Sequence, residues 1–279
     1  MSGAAAWLRA ALGAPRFWRR GRDAHYVRLA MLRELRPRFT PGSVRLPFGR
    51  LDYADAASLE AQYHDIFVRQ GYAFETREPA PVILDCGGNI GLAAVWFKLH
   101  HPGARITVFE PGEALCRILR GNLERLGFTD VAVEQAAVWH EDTTLTLCND
   151  AADGGFVDAV APGEGCRVRA VRLAERITGP VDLLKLDVEG SEYAVIEDLA
   201  ASGALGRVRA LAGELHAAPG DAGRVAALLA RLAEAGFRLT LSHARTAPAL
   251  FGRTEPTPFP ALADGKYLAH VYAWRELGP

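Results

Sequence analysis

One stretch, residues 82–91, constrains the fold more than any other part of the chain. It reads Val-Ile-Leu-Asp-Cys-Gly-Gly-Asn-Ile-Gly, so that a short apolar run ends in Asp85 and is followed by glycines and then by a helical pattern. A buried parallel strand that passes through a glycine-rich turn into a helix is typical of a nucleotide pocket. Gly87 and Gly91 would allow the backbone to turn tightly and a ligand to lie against it.

The spacing of this turn indicates which ligand it suits. A dinucleotide fingerprint has Gly-x-Gly-x-x-Gly with the pyrophosphate at the helix N-terminus, whereas the order here is Asp85-x-Gly87-x-Asn89-x-Gly91. An acid before the turn repels a pyrophosphate but can accept hydrogen bonds from an ammonium group. The turn therefore favours S-adenosylmethionine (SAM), which has an amino group, over a dinucleotide. A tight strand–helix turn without a ligand is the remaining interpretation.

The composition sets broad limits on the class of protein. The 279 residues are 49% hydrophobic and 23% charged, which predicts a soluble globular chain of one large domain or two small ones. No apolar run is long enough to span a membrane, and no signal peptide is evident. The four cysteines lack Cys-x-x-Cys spacing, which argues against structural zinc and for reduced thiols. We therefore expect a cytoplasmic protein.

The charge is distributed unevenly along the chain. The net charge of −1 gives no overall basic field for nucleic acid. Residues 1–40, however, contain nine arginines against Asp23 and Glu34. This basic segment could bind an anionic substrate, a partner or a membrane surface. We favour a packing role, in which Trp7 and Trp18 contact either the domain or a second subunit. In the second case a homodimer would form through the N-terminal helices.

The hydrophobic pattern divides the chain into two parts. Residues 1–76 are predicted to form an N-terminal helical extension and cap, with helices over 1–36 and Leu59–Arg69 and a hairpin over Val44–Tyr53. Residues 77–279 alternate strands with helices, which predicts a doubly wound, mostly parallel α/β sheet. The stretch 143–172 is strand-rich. The predicted sheet strands are Val82–Leu84, Arg105–Phe109, Val131–Val133, Val181–Leu186, Val208–Leu215, Phe237–Leu241 and Tyr267–Trp274.

Residues that follow the strands are the candidates for ligand contacts, because ligands of such sheets bind beyond the carboxyl ends of the strands. Glu110 ends the second strand and could accept both hydroxyls of a ribose, of SAM or of NAD. An acid that simply favours the next helix N-terminus is the alternative. Ala136 and Ala137 follow the third strand and would leave room for an adenine ring. A simple strand end without a ligand is the alternative interpretation of these two residues.

The stretch Asp182–Glu192 contains the candidate catalytic groups. Lys185 lies inside an apolar strand and should pair with a carboxylate, because burying an unpaired ammonium is costly. Asp187 and Glu189 would then flank the pocket mouth, unless the acids form only a structural ion-pair network. Glu214 and His216 share one face of the fifth strand, where His216 is either a proton acceptor or an ordinary surface histidine. These side chains suit a divalent metal, but their spacing fixes no site, so no metal is predicted.

Taken together, residues 82–91, Glu110-Pro111, 136–138 and Asp182–Glu192 resemble the FkbM family of SAM-dependent methyltransferases. The run from Lys185 to Glu192 is the specific part, and the resemblance covers roughly residues 50–245. It implies the class I methyltransferase fold, a Rossmann-like sheet of seven strands with an antiparallel last strand. Family members often have alanine where this chain has Gly88.

The resemblance also implies SAM as the cofactor and methyl transfer to an oxygen of a small molecule, sugar or natural-product intermediate. By motif, the residues near the methionine end, ribose and adenine of SAM would be Asp85, Gly87, Asn89, Gly91, Glu110, Ala136 and Ala137. Asp187 and Glu189 would face the reacting centre. We hypothesise that His216 or Asp187 takes the acceptor proton and that Glu189 orients the acceptor. The alternatives are an N-methyltransferase, an RNA methyltransferase that uses the basic segment, a dinucleotide oxidoreductase and a catalytically silent binding subunit.

Overall fold

The structure is a computed structural model, and it describes residues 24–148, 156–158, 165–243 and 267–275. The first elements are a helix, a hairpin and a second helix. They are α1 (Ala24–Leu35), β1 (Gly42–Leu46), β2 (Gly49–Tyr53) and α2 (Ala56–Tyr63), which continues as a π-helical turn over His64–Val68. Asp55 begins α2 because its carboxylate accepts the backbone N–H of Ser58.

The predicted N-terminal elements are present with shifted bounds. The hairpin matches its prediction, whereas the helix expected over Leu59–Arg69 begins earlier and changes its winding at His64. The helix expected over 1–36 is described only from Ala24, and Trp7 and Trp18 lie outside the described residues. One hydrophobic cluster joins this region to the sheet, with Leu59 and Tyr63 packed in the same cluster as Ile83. The domain boundary predicted at residue 76 stays a prediction, since buried side chains from both sides of it belong to the same hydrophobic cluster.

The centre of the molecule is a seven-stranded sheet. Its strands are β3 (Val82–Cys86), β4 (Arg105–Phe109), β5 (Ala132–Glu134), β10 (Val181–Leu186), β11 (Val208–Ala217), β12 (Arg238–His243) and β13 (Tyr267–Trp274). From edge to edge the order is β12-β13-β11-β10-β3-β4-β5. All neighbouring pairs are parallel except those of β13, which runs antiparallel between β11 and β12. This confirms the predicted fold class, including the antiparallel last strand.

Helices cover both faces of this sheet. Leu92–His100 (α3) and Glu113–Leu126 (α4) pack on one face with the N-terminal elements. Glu192–Ala201 (α6) and Ala222–Glu234 (α7) pack on the other. Every residue of β10 is buried, because the strand lies in the middle of the sheet between two layers of helices.

The strand-rich stretch forms a second, smaller sheet in the order β6-β9-β7-β8. A short helix, α5 (Leu173–Arg176), leads from it back to the main sheet. The four strands are β6 (Ala137–Trp139), β7 (Thr143–Cys148), β8 (Phe156–Asp158) and β9 (Cys166–Arg172). Within the described ranges, no helix has both the length and the apolar character needed to cross a membrane.

Candidate functional site

The register of the central strands brings the predicted site residues to one edge of the sheet. Cys86 pairs with both Leu186 of β10 and Phe109 of β4, so these three strands end at the same level. The residues that follow them are Gly87, Asp187 and Glu110. The sequence predicts this meeting, because the carboxyl ends of parallel neighbours coincide.

The turn after β3 alternates ordinary and left-handed backbone conformations. Gly87, Asn89 and Gly91 have φ of 87°, 47° and 92°. Glycine adopts this region without strain, and asparagine tolerates it better than most residues. The spacing Gly-x-Asn-x-Gly is therefore a backbone requirement of the turn.

Protein atoms, rather than open space, lie against these glycines. A Cβ at Gly87 would overlap the backbone carbonyl oxygen of Asp187, and one at Gly91 would lie 3.3 Å from Leu119. At Gly88 a Cβ would meet Val108, so an alanine there requires that side chain to move. We expected the glycines to leave room for a ligand, but here Gly87 lets two loops touch.

Glu110 lies under the turn and holds it in place. Its carboxylate accepts the backbone N–H groups of Asn89 and Gly112, both at 2.8 Å. The residue is only 5% exposed. Burial raises the pKa of Glu110 to about 7, although the two backbone hydrogen bonds favour the charged form.

Lys185 joins the turn after β3 to the end of β10. Its Nζ lies 3.2 Å from Asp85 Oδ1 and 3.4 Å from Asp187 Oδ2, and it donates to the Gly87 carbonyl at 2.8 Å. Burial alone would lower the pKa of Lys185, but the carboxylates of Asp85 and Asp187 outweigh it and raise this pKa. The predicted partner of Lys185 is therefore Asp85.

This pairing bears on the expected role of Asp85. The side chain is fully buried, and the lysine ammonium lies where a cofactor ammonium was expected. Direct contact between Asp85 and a cofactor therefore requires Lys185 to move, and it stays a prediction.

Tyr72 brings the N-terminal region into the site. Its ring lies 5.3 Å from Lys185 Nζ in a cation–π contact, and its hydroxyl lies 3.5 Å from Asp187 Oδ2. The side chain is almost completely buried, and burial together with the Asp187 charge raises its pKa well above the ordinary value. Asp187 thus receives contacts from two separate parts of the chain.

His216 lies between two carboxylates. Its Nδ1 is 3.0 Å from Glu192 Oε1, and its Nε2 is 3.1 Å from Glu189 Oε2. Burial lowers the pKa of His216, but the hydrogen bonds to Glu189 and Glu192 dominate and raise it to about 11. A carboxylate accepts hydrogen bonds only, so both ring nitrogens carry protons in this arrangement. An imidazolium has no lone pair for a substrate proton, which removes His216 as a base while both contacts persist.

Asp187, Glu189 and His216 bring one ligand atom each within 4.8 Å of one another. Two carboxylates and an imidazole have the composition of a divalent-cation site. Here, however, the His216 ring nitrogens are both engaged by carboxylates, and the group is satisfied as an ion-pair cluster. Next to it, burial and the Asp187 charge raise the pKa of Glu214 to about 8.

The predicted adenine contacts are placed differently from the other site residues. Ala136 is fully buried in the core beneath the second helical layer, and Ala137 begins β6 of the small sheet. Neither side chain offers an open surface in this arrangement, so their contact with an adenine stays a prediction.

Sequence reasoning missed two residues of the site. Tyr72 belongs to the cap that the sequence predicts over the pocket, but nothing in residues 70–75 indicates that its hydroxyl reaches Asp187. Glu192 reads from the sequence as a helix-capping acid. In the structure its fully buried carboxylate accepts the N–H groups of Val188 and Gly190 as well as bonding His216. The available signal was an acid at the very start of a helical run.

The chain is similar in sequence to known proteins. The methyltransferase FkbM domain family matches residues 85–239. FkbM of Streptomyces tacrolimicus, a 31-O-demethyl-FK506 methyltransferase, is 29% identical over 225 residues, which cover 67% of this chain and 86% of that protein. The AMB antimetabolite synthetase AmbE of Pseudomonas aeruginosa is 28% identical over 285 aligned positions, which cover 85% of this chain and 13% of AmbE.

Two solved structures are also similar at low sequence identity. A methyltransferase FkbM from Methylobacillus flagellatus is 13% identical with a TM-score of 0.47, and the alignment covers 90% of this chain and 58% of that one. An O-methyltransferase from Bacillus cereus in complex with SAH is 12% identical with a TM-score of 0.44, over 98% and 100% of the two chains. Since such scores do not carry a fold assignment, the fold class rests on the strand order above.

Proposed function

The chain belongs to the methyltransferase FkbM family, and from that premise we propose that it transfers a methyl group from SAM to a hydroxyl oxygen. The acceptor in this proposal is a small molecule, a sugar or a natural-product intermediate. The observation that carries the proposal is the common edge at which the turn after β3, Glu110 and the Asp187–Glu189 loop meet. The relative named for 31-O-demethyl-FK506 supports an oxygen acceptor.

The chemistry of the edge suits a sulfonium nucleoside. The backbone N–H groups of Gly87 and Gly88 both donate to the Phe109 carbonyl, and that of Asn89 donates to Glu110. These groups are committed to the protein, which argues against a pyrophosphate ligand. Each Glu110 oxygen accepts one protein N–H and retains a lone pair for a ribose hydroxyl. A cationic sulfur is also favoured by the surrounding acids.

When bound, SAM supplies a methyl group that its sulfonium already activates. The protein then mainly has to hold the acceptor oxygen in line with that methyl group, a contribution of about 7–11 kcal/mol in well-oriented reactions. We assign the orienting role to Glu189, whose carboxylate lies beside His216 and is 29% exposed.

We assign the proton acceptor to Asp187. Its carboxylate is 26% exposed, and it lies at the edge between the turn and Glu189. As the acceptor oxygen gains the methyl group, its proton passes to this carboxylate. General-base assistance of this kind contributes roughly 10²–10⁴-fold. Of the two bases hypothesised from the sequence, the contacts of His216 favour Asp187.

Calorimetry tests the cofactor assignment first. We expect the purified protein to bind S-adenosylhomocysteine and not NAD, and Glu110→Gln to weaken binding. The absence of any affinity for S-adenosylhomocysteine and SAM would refute the proposal.

Methyl transfer from isotopically labelled SAM to a panel of alcohols, sugars, amines and RNA then tests the acceptor class. We expect Asp187→Asn to lower kcat by at least about tenfold on the best acceptor. Labelling of amines alone would favour the N-methyltransferase alternative, and labelling of RNA would favour the RNA methyltransferase.

A further inference from the structure

Glu192 contacts the backbone on both sides of Glu189, although Glu192 is fully buried and cannot touch a substrate. One carboxylate oxygen accepts the backbone N–H of Val188 at 3.2 Å, and the other accepts that of Gly190 at 2.9 Å. The residue between these two contacts is Glu189. The first turn of α6 therefore holds the backbone on either side of the acid that faces the acceptor.

The same carboxylate holds His216 of β11. Glu192 Oε1 lies 3.0 Å from Nδ1, and the opposite ring nitrogen, Nε2, lies 3.1 Å from Glu189 Oε2. The neighbouring Tyr193 hydroxyl donates to the His216 backbone carbonyl at 3.2 Å. Helix α6 thus fixes both the ring and the backbone of this histidine. We call the chain of contacts Glu192–His216–Glu189 the clamp.

The contacts of the clamp keep the Glu189 backbone in an unusual conformation. This residue has φ of 54°, in the left-handed region that a glutamate seldom adopts. Such a conformation is strained and persists only where surrounding contacts fix it. The contacts that fix it here are the two loop N–H groups on Glu192 and the His216 ring on the Glu189 carboxylate.

From this geometry we propose that Glu192 is a positioning residue, which acts through His216 and the loop backbone to fix the Glu189 carboxylate toward the methyl acceptor. The proposal rests on the proposed function for its meaning in catalysis. The clamp itself is a property of the protein and can be measured without an acceptor. Other titratable groups also face the His216 ring. Glu214 of β11 and His270 of β13 interact with it electrostatically, and one Asp187 carboxylate oxygen lies within 4.8 Å of a ring nitrogen.

Nitrogen NMR of histidine-labelled protein tests the clamp directly. The His216 signals are assigned by their loss in His216→Asn. At about pH 8 we expect both ring nitrogens of the unaltered protein to be protonated. Glu192→Ala should give the pattern of a neutral ring. Glu192→Gln keeps an oxygen for the loop but loses the charge, so it should give an intermediate result, and it serves as the test if the alanine variant does not fold.

Coupling to Glu189 separates positioning from a merely structural role. As a single substitution, Glu189→Gln should shift the His216 Nε2 signal strongly. When it is combined with Glu192→Ala or Glu192→Gln, the same substitution should shift this signal at most weakly. Glu197→Gln is the matched control, since Glu197 lies on the same helix and pairs with Arg231 at the surface. This control should leave every His216 signal in place.

Cofactor binding and turnover complete the experiment. The Glu192 variants should bind S-adenosylhomocysteine within about twofold of the unaltered protein. In contrast, kcat on the best acceptor should fall by about 10–100-fold, because a misplacement of about 1 Å can cost about 10²-fold in rate. Unchanged His216 signals in both Glu192 variants would overturn the positioning role. Lack of cofactor binding by the unaltered protein would instead refute the proposed function and leave the NMR result interpretable.

Discussion

Replacing Lys185 by methionine is the sharpest test of how the site is held together. The lysine side chain is 3% exposed and its main partner, Asp85, is fully buried. Methionine is similar in length and retains the apolar contacts of the lysine stem, but it removes the ammonium. The variant therefore leaves the Asp85 carboxylate in the core without a counter-charge.

The structure allows the cost to be estimated. Removing one partner of a buried ion pair destabilises a protein by about 3–5 kcal/mol, because the other charge remains desolvated. The Gly87 carbonyl also loses its 2.8 Å hydrogen bond. For a chain of this size, the loss corresponds to a fall in the melting temperature of roughly 6–20 °C. We expect Lys185→Met to lie in this range.

Lys98→Met is the matched control, because Lys98 is also buried. Its Nζ bonds the carbonyls of Pro102 and Ala104 and the carboxylate of Asp130, which is 67% exposed. Since Asp130 can return to water, this substitution leaves no buried charge, and we expect a smaller loss of about 1–3 kcal/mol. Chemical denaturation monitored by circular dichroism measures both variants.

The pH dependence and a double variant identify the cause of the loss. Burial already raises the pKa of Asp85 in the folded protein and Lys185 opposes this rise, so removing Lys185 raises the pKa of Asp85 further above its value in the unfolded chain. The folded variant then binds the extra proton, and its stability falls as the pH rises. The loss of stability of Lys185→Met relative to the unaltered protein should therefore be smaller at about pH 5 than at about pH 8. Adding Asp85→Asn should recover at least about 1 kcal/mol. If Lys185→Met costs no more than Lys98→Met, or if neither acid nor Asp85→Asn restores stability, the reasoning is refuted.

Three further predictions follow from single contacts. Gly87→Ala should abolish detectable binding of S-adenosylhomocysteine in calorimetry, because its Cβ would overlap the Asp187 carbonyl, whereas Gly127→Ala, also at positive φ but in open space, should not alter this binding. Binding of S-adenosylhomocysteine should weaken by about tenfold between about pH 8 and about pH 6, because the pKa of Glu110 is about 7 and its protonated carboxyl is a poor acceptor of hydrogen bonds from ribose hydroxyls. Glu110→Gln should remove this pH dependence. Asn122→Ala should lower the free energy of unfolding by about 2–4 kcal/mol in denaturant titrations, since the fully buried Asn122 side chain hydrogen-bonds the Asp52 backbone and the Ile90 carbonyl. As a control, Arg117→Ala on the exposed face of the same helix should change this free energy by less than about 0.5 kcal/mol.

The strands and the cofactor turn could be predicted from sequence because they depend on local patterns. Arg105–Phe109, Val181–Leu186 and Tyr267–Trp274 match the observed strands exactly, and the others differ by a few residues at their ends. Apolar runs between glycines and helical patterns carry this information within a short window. The number of strands and the antiparallel last strand followed from the resemblance, whereas the order of the strands came from the structure.

The roles of the charged residues could not be predicted in this way. Lys185 was expected to pair with a carboxylate, but only the parallel register of β3 and β10 identifies Asp85 as that carboxylate.

The adenine contact predicted for Ala136 and Ala137 rests on their small size, which is visible in the sequence. Their burial beneath neighbouring elements is not visible there.

By itself, then, the sequence determined the succession of elements, the glycine turn and the acids that end the strands, since each depends on residues a few positions apart. Tertiary structure alone decided which charges meet. It brought Tyr72 to Asp187 and set His216 between Glu189 and Glu192. Electrostatic interaction falls off with distance and depends on burial, so the proton on His216 is determined by groups that only folding places about 3 Å away.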